Sequence, residues 1–196
     1  MVDFAALFAD IQEALQILSY ATVILAVAPL FPFLYVVMKW RAPGQGHVGI
    51  GTLGAVHYFQ VLSALILLAG AANLSYGWVS TTPVDPVTTR YSWGMFVGSG
   101  LFFLLNLGLQ RLTRDLSDLP DVRRMFTGFF LVMTGLTSFA VLLLFFVAWF
   151  QEVDAKDENA VAERIDAMKL YAAWLLYFLT AYLASTLWMT RSAPRS

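Results

Sequence analysis

The sequence predicts an all-α polytopic membrane protein, a bundle of five transmembrane helices with its N-terminus outside and its C-terminus cytoplasmic. Three observations carry that prediction. Of the 196 residues, 59% are hydrophobic and 13% charged, against roughly 45–50% and roughly 25% in a soluble domain. Five stretches of nineteen or more residues are almost uncharged, and Lys and Arg collect in alternate loops. One small soluble core cannot hide that much apolar surface, and disorder needs the opposite composition. The chain has no cysteine, which excludes disulfide scaffolds and thiolate metal sites.

The elements follow in order. Met1–Glu13 has no basic stretch and so does not resemble a cleaved signal peptide. Its apolar residues Phe4, Leu7, Phe8, Ile11 and Leu15 recur at three and four, so residues 1–13 are expected to form an outer interfacial helix, which Asp3, Asp10 and Glu13 favour by wetting one face, or else to extend the first span outward. A bilayer core of about 30 Å takes about 20 residues at 1.5 Å each. The five spans of that kind are Ala14–Met38, Thr52–Trp78, Ser92–Gln110, Met125–Gln151 and Ala167–Thr190. Each should be a helix, because no water inside lipid can satisfy an open backbone. The whole chain is then a single transmembrane domain, 1–196.

Pro29 and Pro32 remove two backbone donors and are expected to kink the first span. Thr81–Pro86 should be a turn, since Pro83 and Pro86 each push the preceding residue out of helical geometry. In the third span Gly94 and Gly98 form a small-xxx-small face, the kind that lets helices approach closely in lipid, so this span is expected to be the one the others pack against. Gly128 and Gly135 of the fourth span, two turns apart, are its expected complement. Asn159–Met168 repeats apolar residues helically behind Asp157 and Glu158, which suit a helix start. That helix is expected to run on into the last span, where Lys169 lies near enough to the boundary to snorkel.

Orientation comes from counting Lys and Arg on alternate sides. One side holds eight (Lys39, Arg41, Arg111, Arg114, Arg123, Arg124, Arg191, Arg195) and the other four, so the first should be cytoplasmic. Ten of the thirteen acidic residues fall on the outer side, leaving net charges near +5 inside and −6 outside.

Polar side chains at membrane depth point to a function or a buried partner. At 1.5 Å per residue, His57, Gln60, Asn106 and Gln110 fall in the same inner third of the bilayer, with Tyr35 and Tyr182 reaching the same layer. His57 is the one histidine within a span. An imidazole there can donate to a quinone carbonyl, relay a proton or bind haem iron, although His47 lies in a loop and bis-histidine ligation is excluded. The alternative is a hydrogen bond from His57 to Asn106 or Gln60 that holds the bundle.

No phosphate-binding loop, zinc motif or nucleophile with a base is found, so no catalytic and no metal-ligating residue is assigned. The acidic run 152–158 lacks the spacing and glycine of a calcium loop. The first expectation is therefore a non-catalytic integral membrane subunit or scaffold of a larger complex, packing through its small-residue faces. Its partners would be the lipid bilayer and other membrane subunits or further copies of itself, with no nucleic acid. A small transporter or channel using the inner polar layer is the second reading. A quinone- or haem-associated anchor of an oxidoreductase is the third. No cofactor is required by the sequence, and the membrane expected is a bacterial inner (plasma) membrane.

Overall fold

The computed structural model describes residues 50–112, 120–151 and 157–191, together with Leu34, Tyr35 and Met38. It contains the helices α1 (Ile50–Val79), α2 (Pro86–Leu112), α3 (Pro120–Phe150) and α4 (Glu158–Arg191), and no strand among the described residues. All four are long and apolar enough to cross a membrane, so the chain is a multi-pass membrane protein. The predicted interfacial helix 1–13 and nearly all of the predicted first span, with Pro29 and Pro32, lie outside the described residues, as does most of the acidic run 152–158.

Local chemistry sets the helix limits. α1 stops at Val79, four residues before Pro83. α2 begins with Pro86 at its first position, where a fixed φ and a missing N–H do no harm. Asp85 caps it, accepting from the Val87 amide at 3.2 Å through its side chain and from the Thr89 amide at 3.1 Å through its carbonyl. α3 also opens on a proline, Pro120. Asp157 caps α4 in the same way, taking the amides of Asn159 and Ala160 at 3.1 and 3.2 Å. From that cap α4 runs unbroken for 34 residues, so the extramembrane helix expected at 159–168 and the last span are one element. At 1.5 Å per residue it is about 51 Å long, well beyond the hydrocarbon core.

The bundle is inside out in the manner of a membrane protein. Large apolar side chains such as Leu101, Leu104 and Val147 are exposed, while His57, Ser63, Asn106, Thr134 and Asp166 are buried. The core is a cluster of Val61, Leu65, Ala69, Phe126 and Phe178, drawn from α1, α3 and α4. α1 packs against each of the other three helices, and α2 packs chiefly on α1.

The third span was expected to take that central place; among the described residues the second, α1, takes it. Its close approach to α2 is made at Gly70, where an added Cβ would lie 2.8 Å from the Phe96 backbone nitrogen. Gly94 and Gly98 have no atom within 4 Å of the corresponding position among the described residues. Gly135, expected to complement the third span, instead receives the Tyr182 ring of α4, 3.1 Å from where a Cβ would be, and Gly128 has nothing within 4 Å among the described residues.

Candidate functional site

The two ends of the bundle carry polar residues of different kinds. The end holding the α1–α2 turn also holds the start of α4 and the end of α3 and is called the turn end; the opposite end holds the start of α1. The predicted polar layer lies toward the opposite end.

In that layer each described bond turns back on its own helix. His57 is buried, with Nδ1 3.3 Å from Gln60 Oε1 one turn along α1. Its ring lies against Phe126 of α3, the centroids 5.8 Å apart. Asn106 is buried and donates its amide to the Phe102 carbonyl at 2.8 Å, within α2. The antiparallel register that sets Gly70 beside Phe96 brings Gln60 level with Asn106 along the bundle, ten residues further on. Level is not contact, since His57 bonds Gln60 and Asn106 bonds a carbonyl. Gln110 is half-buried near the end of α2, and Tyr35 is helical and half exposed. Tyr182 lies on α4 against Gly135 and accepts the Thr186 hydroxyl on its carbonyl at 2.9 Å.

The turn end is built across the helices. Asp166 of α4 is 95% buried from solvent by its 5% exposure, and both of its oxygens are engaged. Oδ1 accepts the Thr81 amide at 2.8 Å and its hydroxyl at 2.5 Å; Oδ2 accepts the Thr82 amide at 3.0 Å and its hydroxyl at 2.5 Å. An ionised carboxylate is an acceptor with about four lone-pair sites, so these four donors saturate it. Lys169, one turn on, adds a positive charge 3.6 Å from Oδ1. Deeper between the same two helices, Trp174 Nε1 donates to Asn73 Oδ1 at 2.9 Å, and Ser75 and Tyr177 share a hydrogen bond of 2.7 Å. Arg164 donates to the Gln151 carbonyl at 3.1 Å, tying the end of α3 to α4.

None of these turn-end ties was foreseen. A signal existed for two of them: Trp174 lies well inside its span, where an indole N–H needs a partner, and Asp166 is the acid closest to the boundary of the last span. Thr134 and Ser138 of α3 were missed as well. Both are buried and donate to carbonyls of their own helix, Phe130 at 2.9 Å and Thr134 at 2.7 Å.

Between α1 and α2 runs an apolar groove of about 480 Å³, its walls including Phe59, Leu62 and Ile66 of α1 and Gly94, Gly98 and Phe102 of α2. Arg90 and Tyr91 line it at the turn end. Among the described residues no three His, Asp or Glu side chains gather in a way that could hold a metal ion.

No known family matches this chain, and no curated protein and no solved structure is detectably similar to it.

Proposed function

We propose that the chain is a structural, non-catalytic subunit or scaffold of a larger membrane assembly. The observation that carries this reading is the Asp166 clamp. One carboxylate takes four hydrogen bonds from Thr81 and Thr82 and so locks the last helix onto the first turn of the described bundle. A locked turn gives a fixed surface, and around it Asp85, Glu158 and Glu163 are exposed. A partner with a basic surface would find there a set of carboxylates that needs no ordering on binding.

The same reading takes the charge bias of the loops as its guide to orientation. It has five spans, the turn end outside, the N-terminus outside and the C-terminus cytoplasmic, in the plasma membrane of a bacterium. Gly128 of α3, with nothing within 4 Å of an added Cβ among the described residues, is one place where a partner helix can approach the backbone closely.

Purification of the full chain in mild detergent tests this. A second membrane protein should copurify in fixed ratio, and Glu158→Lys with Glu163→Lys should release it while leaving the helical content unchanged. A chain that purifies alone and sediments as a monomer overturns the reading. Flux in reconstituted vesicles that vanishes with His57→Leu and Asn106→Leu would replace it with transport.

A further inference from the structure

The α1–α2 groove has a chemistry of its own. Along α2 it runs from Arg90 to Phe102, which at 1.5 Å per residue is about 18 Å, slightly more than the hydrocarbon depth of one leaflet. Its volume of about 480 Å³ falls within the roughly 300–1,000 Å³ of small-molecule sites. The two serines in its wall spend their hydroxyl protons on their own helices and so offer an anionic occupant no donor: Ser63 donates to the Phe59 carbonyl at 2.7 Å, and Ser99 donates to the Met95 carbonyl. What lies between them is apolar, and Gly94 and Gly98 leave room where side chains would stand.

The exception is at the turn end. Arg90 has no hydrogen bond and no ion pair among the described residues, whereas Arg164 is engaged with the Gln151 carbonyl and Lys169 with Asp166. A long apolar slot with one unneutralised guanidinium at the membrane boundary is complementary to a molecule with an anionic head and a hydrocarbon tail. A bilayer places such molecules beside it.

We propose that the α1–α2 groove binds one acyl chain of an acidic phospholipid, with its phosphate held by Arg90 and Tyr91 at the same level. Lipid tails are about as apolar as the groove wall, so moving a chain from the bilayer into the slot changes little. The slot therefore fixes position, and the guanidinium fork takes the phosphate oxygens of any phospholipid. Selectivity comes from net charge, because only an acidic headgroup lacks a cation of its own that would repel Arg90. The site discriminates by headgroup charge and hardly at all by chain length. One cation near an anionic membrane surface corresponds to about a fivefold preference.

The test is lipid retention by the full-length protein, read by native mass spectrometry from mild detergent supplemented with phosphatidylglycerol or with phosphatidylcholine of the same chains. Wild type should retain phosphatidylglycerol about fivefold over phosphatidylcholine. Arg90→Gln, at an exposed position, should erase the preference with helical content unchanged while some lipid of either kind stays bound. Gly98→Leu should lower retention of both. A wild type without preference, or an Arg90→Gln variant that keeps it, overturns the proposal. So does an equal loss in Arg164→Gln, which would mean general attraction to a charged surface. Two other occupants have their own signatures, and either would overturn it. A Gly98→Cys, Thr22→Cys pair in this cysteine-free chain that oxidises to a disulfide would put the first span in the groove, and a copurifying protein lost in Gly98→Leu with lipid retention unchanged would put a partner helix there.

Discussion

At the turn end, residues 84 to 102 positions apart in the chain share hydrogen bonds: Asp166 with Thr81 and Thr82, Trp174 with Asn73, Tyr177 with Ser75. At the opposite end His57 and Asn106 bond partners three and four residues away. Among the described residues the helices meet there through rings and a cation, His57 against Phe126 and Arg123 4.8 Å over the Trp188 ring. The difference follows from what each side chain can reach. A helix always offers a carbonyl one turn back, and Asn106, Thr134 and Ser138 take it. The Asp166 carboxylate cannot use a carbonyl at all, because it needs donors, and the nearest free donors are the amides and hydroxyls of a turn that has left helical geometry. Trp174 and Tyr177 are too long to fold back onto their own backbone and so reach across.

The largest effect expected from this contrast is at Asp166. Asp166→Ala removes the acceptor from four donors at once, and hydrogen bonds to a charged group contribute about 1.5–3 kcal/mol each without simple additivity. A loss of about 3 kcal/mol or more is expected, read as a lowered midpoint in titration with denaturing detergent. Asp166→Asn should be nearly as severe, because its amide nitrogen would face the donors of one threonine. If both variants unfold like wild type, the two ends are held equally and the comparison fails.

Much of the architecture was legible beforehand. Helices at 50–79, 86–112, 120–150 and 158–191 cover the last four predicted spans except for Gln151, because length, hydropathy and proline position are local properties. Relative level along the bundle is a local property too, since rise per residue alone sets Gln60 beside Asn106 once the helices are antiparallel. Direction around the helix was not. His57, Gln60 and Asn106 looked like a shared site because they share a level, yet the competing carbonyl one turn away is invisible in a list of side chains. Among the described residues the central helix differs from the expected one for a related reason. Gly94 and Gly98 have the textual pattern of a contact, but among the described residues the close α1–α2 contact falls at Gly70, within Ala69-Gly70-Ala71-Ala72, a run of small residues with no four-residue spacing to advertise it. The Asp166 clamp joins positions about 85 apart, and nothing local predicts such a pairing.

The second effect in size belongs to Gly70, which lies between the two ends. A Cβ there would meet backbone rather than a movable side chain, so Gly70→Leu must push α2 away from α1. The expected cost is about 1–3 kcal/mol, the range for overpacking. Gly135→Ala serves as the contrast, since the Tyr182 ring it would press on can swing. Equal losses in the two would mean that α1 and α2 are not held by backbone contact. Third comes Asn73→Leu, which leaves the Trp174 N–H without its acceptor at membrane depth. Interhelical hydrogen bonds in membranes average about 0.6 kcal/mol and reach about 1.7. A loss in that range is expected, matched by Trp174→Phe and not increased in the double variant.

The smallest effect should be at His57, the residue that looked most functional in the sequence. His57→Leu removes a bond made within α1 and keeps a side chain of apolar character against Phe126, so no interhelical hydrogen bond is lost. Gln60 keeps access to its own helix. The expected change is below about 0.6 kcal/mol, the mean of an interhelical bond, and Asn106→Leu should behave alike because Asn106 also bonds only its own helix among the described contacts. Both variants belong in the same detergent titration as Asn73→Leu, with helical content followed by circular dichroism. If His57→Leu costs as much as Asn73→Leu, the opposite end is held across helices after all, and the imidazole contributes through Phe126 what the hydrogen bonds contribute at the turn end.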